Sequence, residues 1–363
     1  MKLWNKDRAA APRSTASAAL SRLGDSRYVT AATLGIAALA VAALVNHQLA
    51  RGAERRNPPR GRFLEIDGVR LHYVERGTGE PLVLLHGNGS MIQDFESSGL
   101  LDEAAKTYRV IAFDRPGYGH SRRPRRRLWS PDAQADLLHR ALEALDASPA
   151  IVLGHSWGAS VAVALALKHP GSVKALVLAS GYYYPTARAD VVAASGPAIP
   201  LVGDILRYTL SPLIGRITWP GLMRKVFGPA EVPQKFREGF PTGLALRPSQ
   251  LRASAAESAM MIPDALGMRA KYGDLPMPVV IIAGELDRLI DTDRQSRQLH
   301  REVGHSIFRS VPAAGHMVHQ TAMREVMAAI DEAAEATTAQ QKPRAAPAGG
   351  VAAGKATASP RTD

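Results

Sequence analysis

The sequence predicts an α/β fold with a mostly parallel sheet covered by helices on both faces. Short apolar runs alternate with amphipathic stretches from residue 63 onward. Continuous runs of this kind suit strands buried on both sides, and strand–helix alternation implies parallel pairing through crossovers. The third observation is the break in the alternation between Gly181 and Tyr272. That stretch is helical in character, is punctuated by prolines and carries Tyr182, Tyr183, Tyr184, Trp219, Phe227, Phe236 and Phe240.

Taken in order, residues 63–66 and 69–74 flank an Asp67-Gly68 turn and read as a hairpin. Residues 82–85, 110–113, 151–153, 175–178, 279–282 and 307–311 read as buried strands. Residues 130–145, 157–168, 292–303 and 317–334 have helical spacing. Ser130 followed by Pro131 supplies an N-cap and a first-turn proline. The fold therefore divides into a core over 63–181 and 273–336 and an inserted helical cap over 182–272.

Both ends differ from this body. Residues 29–45 contain no charge, and as a helix the stretch 29–50 spans about 33 Å, enough to cross a hydrocarbon core. Basic residues stand on both sides: Lys2 to Arg27 before it, and Arg51, Arg55, Arg56, Arg60 and Arg62 after it. An apolar span between two basic collars reads as a transmembrane anchor, following a basic segment over 1–28. A cleaved signal peptide and an interfacial helix are the other readings. Charge at both ends leaves the sidedness open. Residues 51–62 read as a linker, and 337–363, rich in Ala, Pro, Gly, Thr and Lys, as a disordered tail.

The 363-residue chain carries a formal charge of +12, which alone suggests nucleic acid or an anionic membrane. Residues 1–62 hold 11 basic and 3 acidic side chains, and residues 337–363 hold 4 and 1, whereas 63–336 hold 30 and 29. A nearly neutral body argues against a nucleic-acid partner. Because the chain has no cysteine, thiolate metal sites, disulfides and a cysteine nucleophile are excluded.

The sharpest chemical signal is GHSWG at 154–158, between a buried strand and a helix. Ser156 there sits on a tight corner where flanking glycines let the backbones pack. Its hydroxyl is exposed at a helix N-terminus, and the next amide is free to receive an oxyanion. Serine needs a base oriented by an acid. His316 and Asp287 lie in loops after later strands, at the same sheet edge as Ser156 if the sheet is parallel. Glu285, Asp291 and Asp293 are rival acids, His319 reads as a helix-face residue and His155 as a packed one. After the strand 82–85, HGNGS at 86–90 offers the Asn88 amide to pair with that of Trp157 as an oxyanion hole, with Gly89 as the fallback donor and His86 structural. The run of arginines over 122–127 reads as a solvated loop or as a contact with anionic headgroups.

Together HGNGS (86–90), FDRPGYGHS (113–121), GHSWG (154–158), GELD (284–287) and AGHMVH (314–319) resemble the α/β-hydrolase family over about residues 63–334. The resemblance implies an eight-stranded sheet, a Ser156–Asp287–His316 triad, a structural role for 113–121, and neither metal nor cofactor. Dehalogenases and epoxide hydrolases of this family use an aspartate where Ser156 stands, although Trp157 looks like the dehalogenase neighbour. The expected function is that of a membrane-anchored serine hydrolase acting on a lipophilic small-molecule ester. The alternatives are a C–C bond hydrolase, a cofactor-free perhydrolase, and a non-catalytic ligand-binding or scaffold protein on the same fold.

Overall fold

The computed structural model describes residues 26–186 and 194–341. The predicted basic segment before residue 26, the tail beyond 341 and residues 187–193 of the cap lie outside these. Eight strands form one sheet: β1 (Arg62–Ile66), β2 (Val69–Arg76), β3 (Glu80–Leu85), β4 (Tyr108–Phe113), β5 (Ala150–His155), β6 (Val173–Ala179), β7 (Val279–Gly284) and β8 (Ile307–Val311). Their order is β1-β2-β4-β3-β5-β6-β7-β8. Only the β1–β2 and β2–β4 pairings are antiparallel.

The central strands read as unbroken apolar runs because each face has its own core. On β3 and β5, Leu82, Leu84, Ile151 and Leu153 enter one cluster, while Val83, Leu85 and Val152 enter the other. The helix after Ser130 runs Pro131–Ala144, and the Ser130 hydroxyl accepts the Ala133 N–H at 3.2 Å. The predicted helix over 317–334 divides at Ala322 into Val318–Thr321 and Met323–Gln341. Part of the expected tail is thus helical. No proline interrupts the chain before Pro343, and the buried Thr337 caps back onto the Ala334 carbonyl at 2.7 Å.

The cap lies between β6 and β7. Numbered after the five α-helices described before it in the chain, its longer helices are α6 (Val202–Tyr208), α7 (Ser211–Phe227) and α10 (Pro248–Met268), with the short α8 (Gln234–Gly239) and α9 (Thr242–Ala245) between the last two. Tyr182, Tyr183 and Tyr184, at the start of the segment assigned to the cap, are buried in the same cluster as Met260, Met261 and Tyr272, and the Tyr272 hydroxyl donates to the Tyr183 carbonyl at 2.6 Å.

The apolar N-terminal stretch belongs to α1 (Ser26–Arg56), whose span Tyr28–Arg56 is long and apolar enough to cross a membrane. The linker expected over 51–62 is correspondingly shorter, because the helix continues through Arg56. The cause is packing. Ala53 is buried among Phe240, Leu244 and Ala245, and a β-carbon on Gly243 would lie 2.9 Å from that of Ala53, so two small residues let the helices touch. Arg247 binds Glu54 at 2.9 Å.

Candidate active site

Ser156 is held by the corner between β5 and α5 (Trp157–Lys168). Its φ of +54° is in the left-handed region, a strain of about 1–3 kcal/mol for a non-glycine residue. The surroundings impose it. The Ser156 N–H donates to the Ala179 carbonyl at 2.9 Å. A β-carbon on Gly154 would fall 2.4 Å from the Gly158 carbonyl oxygen, and one on Gly158 would fall 2.1 Å from that of Leu85. Both flanking glycines are therefore required by backbone contact, as the motif predicted.

Of the four carboxylates in the loop after β7, only Asp287 reaches His316, with Oδ2 2.8 Å from Nδ1. Its other oxygen accepts the Leu289 and Ile290 amides at 2.7 and 2.9 Å. Burial pushes the Asp287 carboxyl up, but the His316 charge, its hydrogen bond and the two amides outweigh burial and hold the group below the usual carboxylate range. Glu285 instead accepts from Ser310, Asp291 caps its own turn and Asp293 pairs with Arg297.

Ser156 and His316 line one cavity of about 260 Å³ with Gly87 and Asn88, beneath cap residues Trp219, Met223 and Phe240. A more open depression of about 800 Å³ shares Trp219, Met223 and Phe236 with it. The Asn88 carboxamide is tied to the Ser254 carbonyl and the Ser258 hydroxyl on α10, at 3.2 and 3.1 Å. The Asn88 main chain is thereby fixed in the cavity wall. Trp157 is the first residue of α5, so its N–H has no intrahelical acceptor.

The loop carrying Asn88 is anchored by a network that sequence reasoning missed. Arg115 donates to the carbonyls of His86 and Gly87 at 2.8 and 3.0 Å, and pairs with the wholly buried Glu257 of the cap. His86 Nε2 accepts the Arg115 N–H at 3.0 Å, so Nδ1–H donates to the Gly87 carbonyl at 2.8 Å. Burial, then the Arg115 charge, lower its pKa to about 4. Holding the loop is the structural role the sequence suggested for His86. In the loop after β4, which also carries Arg115, Asp114 binds His72 at 2.7 Å, and a β-carbon on Gly119 would overlap the Asp114 carboxylate. Residues 113–121 thus serve the fold, as expected.

His319 departs from its helix-face reading. It is fully buried, with Nε2 3.0 Å from Asp94 Oδ1 and its ring centroid 4.3 Å from that of His155. Asp94 also accepts from Ser90 and Gln320, both at 2.8 Å. Donor atoms of Asp94, His155 and His319 lie within 4.8 Å of one another, a spacing that could hold a metal ion. Asp94 is engaged by Ser90 and Gln320 and lies against His319, and the cluster packs on His316 through His155, whose ring centroid is 5.0 Å from that of His316. His155 Nε2 donates to the His316 carbonyl at 3.1 Å. Burial, then the charges of His319 and His316, keep His155 well below its ordinary pKa. Nothing in the local sequence around Asp94 marks it as a partner for a histidine 225 positions on.

Comparisons with known proteins agree with this architecture. A 2-hydroxymuconate semialdehyde hydrolase of Pseudomonas sp. (strain CF600) is 35% identical over 136 residues, covering 37% of this chain and 48% of that protein, about half its length. Haloalkane dehalogenase 2 of Mycobacterium tuberculosis (strain ATCC 25618 / H37Rv) is 23% identical over 286 residues, covering 76% and 95%. Among solved structures, a thermophilic esterase from Thermogutta terrifontis superposes with a TM-score of 0.62 at 21% identity, covering 76% of this chain and 99% of that one. The alpha/beta hydrolase fold profile matches residues 80–322, which runs from the first residue of β3 past His316 and takes in the whole cap. With that match spanning strand order, elbow and cap alike, the chain belongs to the alpha/beta hydrolase fold family.

Proposed function

We propose that the protein is a membrane-anchored serine hydrolase that cleaves a carboxylic ester, or a related acyl bond, of a lipophilic small molecule through an acyl-enzyme. The observation that carries the reading is the convergence of Ser156 and His316 on one cavity, with His316 held by Asp287 at 2.8 Å. In this mechanism His316 takes the Ser156 proton and the serine oxygen attacks the carbonyl. The amides of Asn88 and Trp157 receive the oxyanion, and His316 returns the proton to the leaving group. Water then attacks the acyl-enzyme by the reverse relay and releases the acid. The mostly apolar lining supports a lipophilic acyl group, and a volume of about 260 Å³ supports a small one. The anchor reading is supported by α1, an unbroken helix whose apolar part is unburied and whose end is packed on the cap.

The test is a fluorophosphonate probe and a chain-length series of esters applied to the full chain in detergent. Ser156→Ala is expected to abolish labelling and turnover together, and retention of both overturns the assignment. The second reading, C–C bond hydrolysis, is favoured by the match to 2-hydroxymuconate semialdehyde hydrolase. Intact labelling with no turnover of any ester selects it. Absence of labelling in the wild-type protein selects the non-catalytic reading.

A further inference from the structure

Exposed large hydrophobic side chains are concentrated on this molecule. Among the described residues all but Leu128, Leu266, Leu286 and Ile307 fall between Tyr28 and Leu49 of α1 or between residues 199 and 222 of the cap. Ile199, Leu201, Val202, Ile205, Ile214 and Ile217 are each more than half exposed. A ridge of this kind marks an interaction surface. The two stretches are joined, because the buried Asn46 of α1 donates to the carbonyls of Tyr208 and Thr209, at the end of α6, at 3.1 and 2.6 Å. The helix α7 that exposes Ile214 and Ile217 also walls the Ser156 cavity through Trp219, Leu222 and Met223.

Beside the same junction is a groove of about 770 Å³, bordered by Glu54 and Tyr208 and lined by Arg122, Arg123, Arg125, Arg207, Arg247 and Arg252. Carboxylates answer only part of this charge. Glu54 is taken by Arg247, Asp204 is shared by Arg125 and Arg207, and Glu257 lies under Arg123. Arg252 is disfavoured as a cation by burial, then by Arg125, Arg207 and Arg123. The groove is therefore a concave site with surplus positive charge, suited to an anion. Its position fits one source of anion. Glu54 lies eight residues beyond Asn46, about 12 Å along the helix axis. With the apolar part of α1 in hydrocarbon, the groove comes to the level of the headgroup layer, which is about 5–8 Å thick in each leaflet.

We propose that this face docks on an anionic bilayer: the α6–α7 ridge enters the acyl boundary beside α1, and the arginine groove holds the phosphate headgroup of an anionic phospholipid. The docked orientation opens the Ser156 cavity toward substrate dissolved in lipid. The proposal rests on the reading of α1 as an anchor.

The absence of native cysteine permits a direct test on the full chain. Ile217→Cys and, as the reference at the opposite edge of the sheet, Ile307→Cys are labelled with a polarity-sensitive fluorophore. Each is reconstituted in nanodiscs of phosphatidylcholine alone or mixed with phosphatidylglycerol. In the mixed discs the label at 217 is expected to shift to the blue and to be quenched by brominated acyl chains, while that at 307 stays aqueous. Replacing Arg122, Arg125 and Arg252 by Gln is expected to lower the docked-to-free ratio about 5-fold per arginine, about 100-fold in all. An aqueous label at 217 in both compositions overturns the proposal. So does inorganic phosphate raising the Tm of the wild type, but not of the triple variant, while the label stays aqueous, since the groove would then serve a soluble anion. Fluorophosphonate labelling of the same samples keeps the two readings apart. Labelling with an aqueous 217 refutes docking alone, and a lipid-facing 217 without labelling refutes the hydrolase alone.

Discussion

Asp287→Asn separates the orienting role of the carboxylate from its shape. Asp287 Oδ1 receives two backbone N–H groups, from Leu289 and Ile290, so only the carbonyl oxygen of an asparagine can occupy that side. Its NH₂ group is then directed at His316 Nδ1, where the carboxylate oxygen lies 2.8 Å away in the wild type. An imidazole facing a donor must accept through Nδ1, which places its proton on Nε2. That nitrogen can then no longer take the Ser156 proton. The side-chain volume is unchanged, so the loss falls on kcat, by about 10⁴-fold, or about 5.5 kcal/mol of transition-state stabilisation. The assay is ester turnover and the rate of fluorophosphonate labelling, with the His316 tautomer read from its ¹⁵N shifts. A variant that keeps more than about a tenth of the wild-type rate, or that keeps the proton on Nδ1, refutes the assignment of Asp287.

Gly158→Ala places a methyl group 2.1 Å from the Leu85 carbonyl oxygen and 2.7 Å from that of His86, so the variant is expected to lose the folded elbow and its labelling. Gly171→Ala, whose β-carbon meets nothing within 4 Å, is expected to match wild type in Tm and labelling. His86 is held at about 4 by burial and then by Arg115, against about 6.5 in the unfolded chain. Between those values the unfolded state takes up a proton that the folded state refuses. Stability is therefore complete above about pH 6.5 and falls by about 3 kcal/mol as pH drops to 4; a urea midpoint that is flat across this window contradicts it. Asp264 behaves oppositely, since burial, then Asp132 and Glu257, raise its pKa to about 7. It favours folding below the ordinary carboxylate value, and that contribution is lost as pH rises through 7. Asp264→Asn should therefore raise the Tm more at pH 8 than at pH 5, and an equal shift at both pH values would show that its charge is not the cause.

Much of this architecture was legible in sequence for a physical reason. Strands buried on both faces must be apolar throughout, so β3, β5 and β7 stood out as runs, and the elbow stood out because two backbones approach too closely for any residue but glycine. Spacing and motif placed the acid in the loop after β7 and favoured Asp287, but they carried no physical reason why the three rival carboxylates should turn away from His316. That choice depends on the two amides that fix Asp287, and amides carry no sequence signature. The same limit hid the Arg115–Glu257 pair, whose members are 142 residues apart, and the Asp94–His319 contact near His316. It also shortened the linker, because Arg51, Arg55 and Arg56 read as a collar after an anchor while Ala53, between them, is the residue that packs.

Net charge shows the gap between composition and surface most clearly. Thirty basic and 29 acidic residues over 63–336 sum to almost nothing, which is why the sequence alone sets a nucleic-acid partner aside. A sum near zero is nevertheless compatible with strong local fields, because pairing is a matter of distance. Elsewhere the carboxylates are paired at close range, as in Arg109–Glu75 at 2.7 Å and Arg309–Glu332 at 2.6 Å. The groove at the foot of α1 instead gathers arginines from the loop after β4, from α6 and from the start of α10, with too few carboxylates to answer them. Attraction to a charged surface falls off within about 10 Å at ordinary ionic strength. Within that range any charged surface brought to this face meets the local surplus and not the neutral total. The loop arginines thus form one electrostatic feature with Arg207, Arg247 and Arg252 of the cap, at the place where Glu54 of α1 meets Arg247.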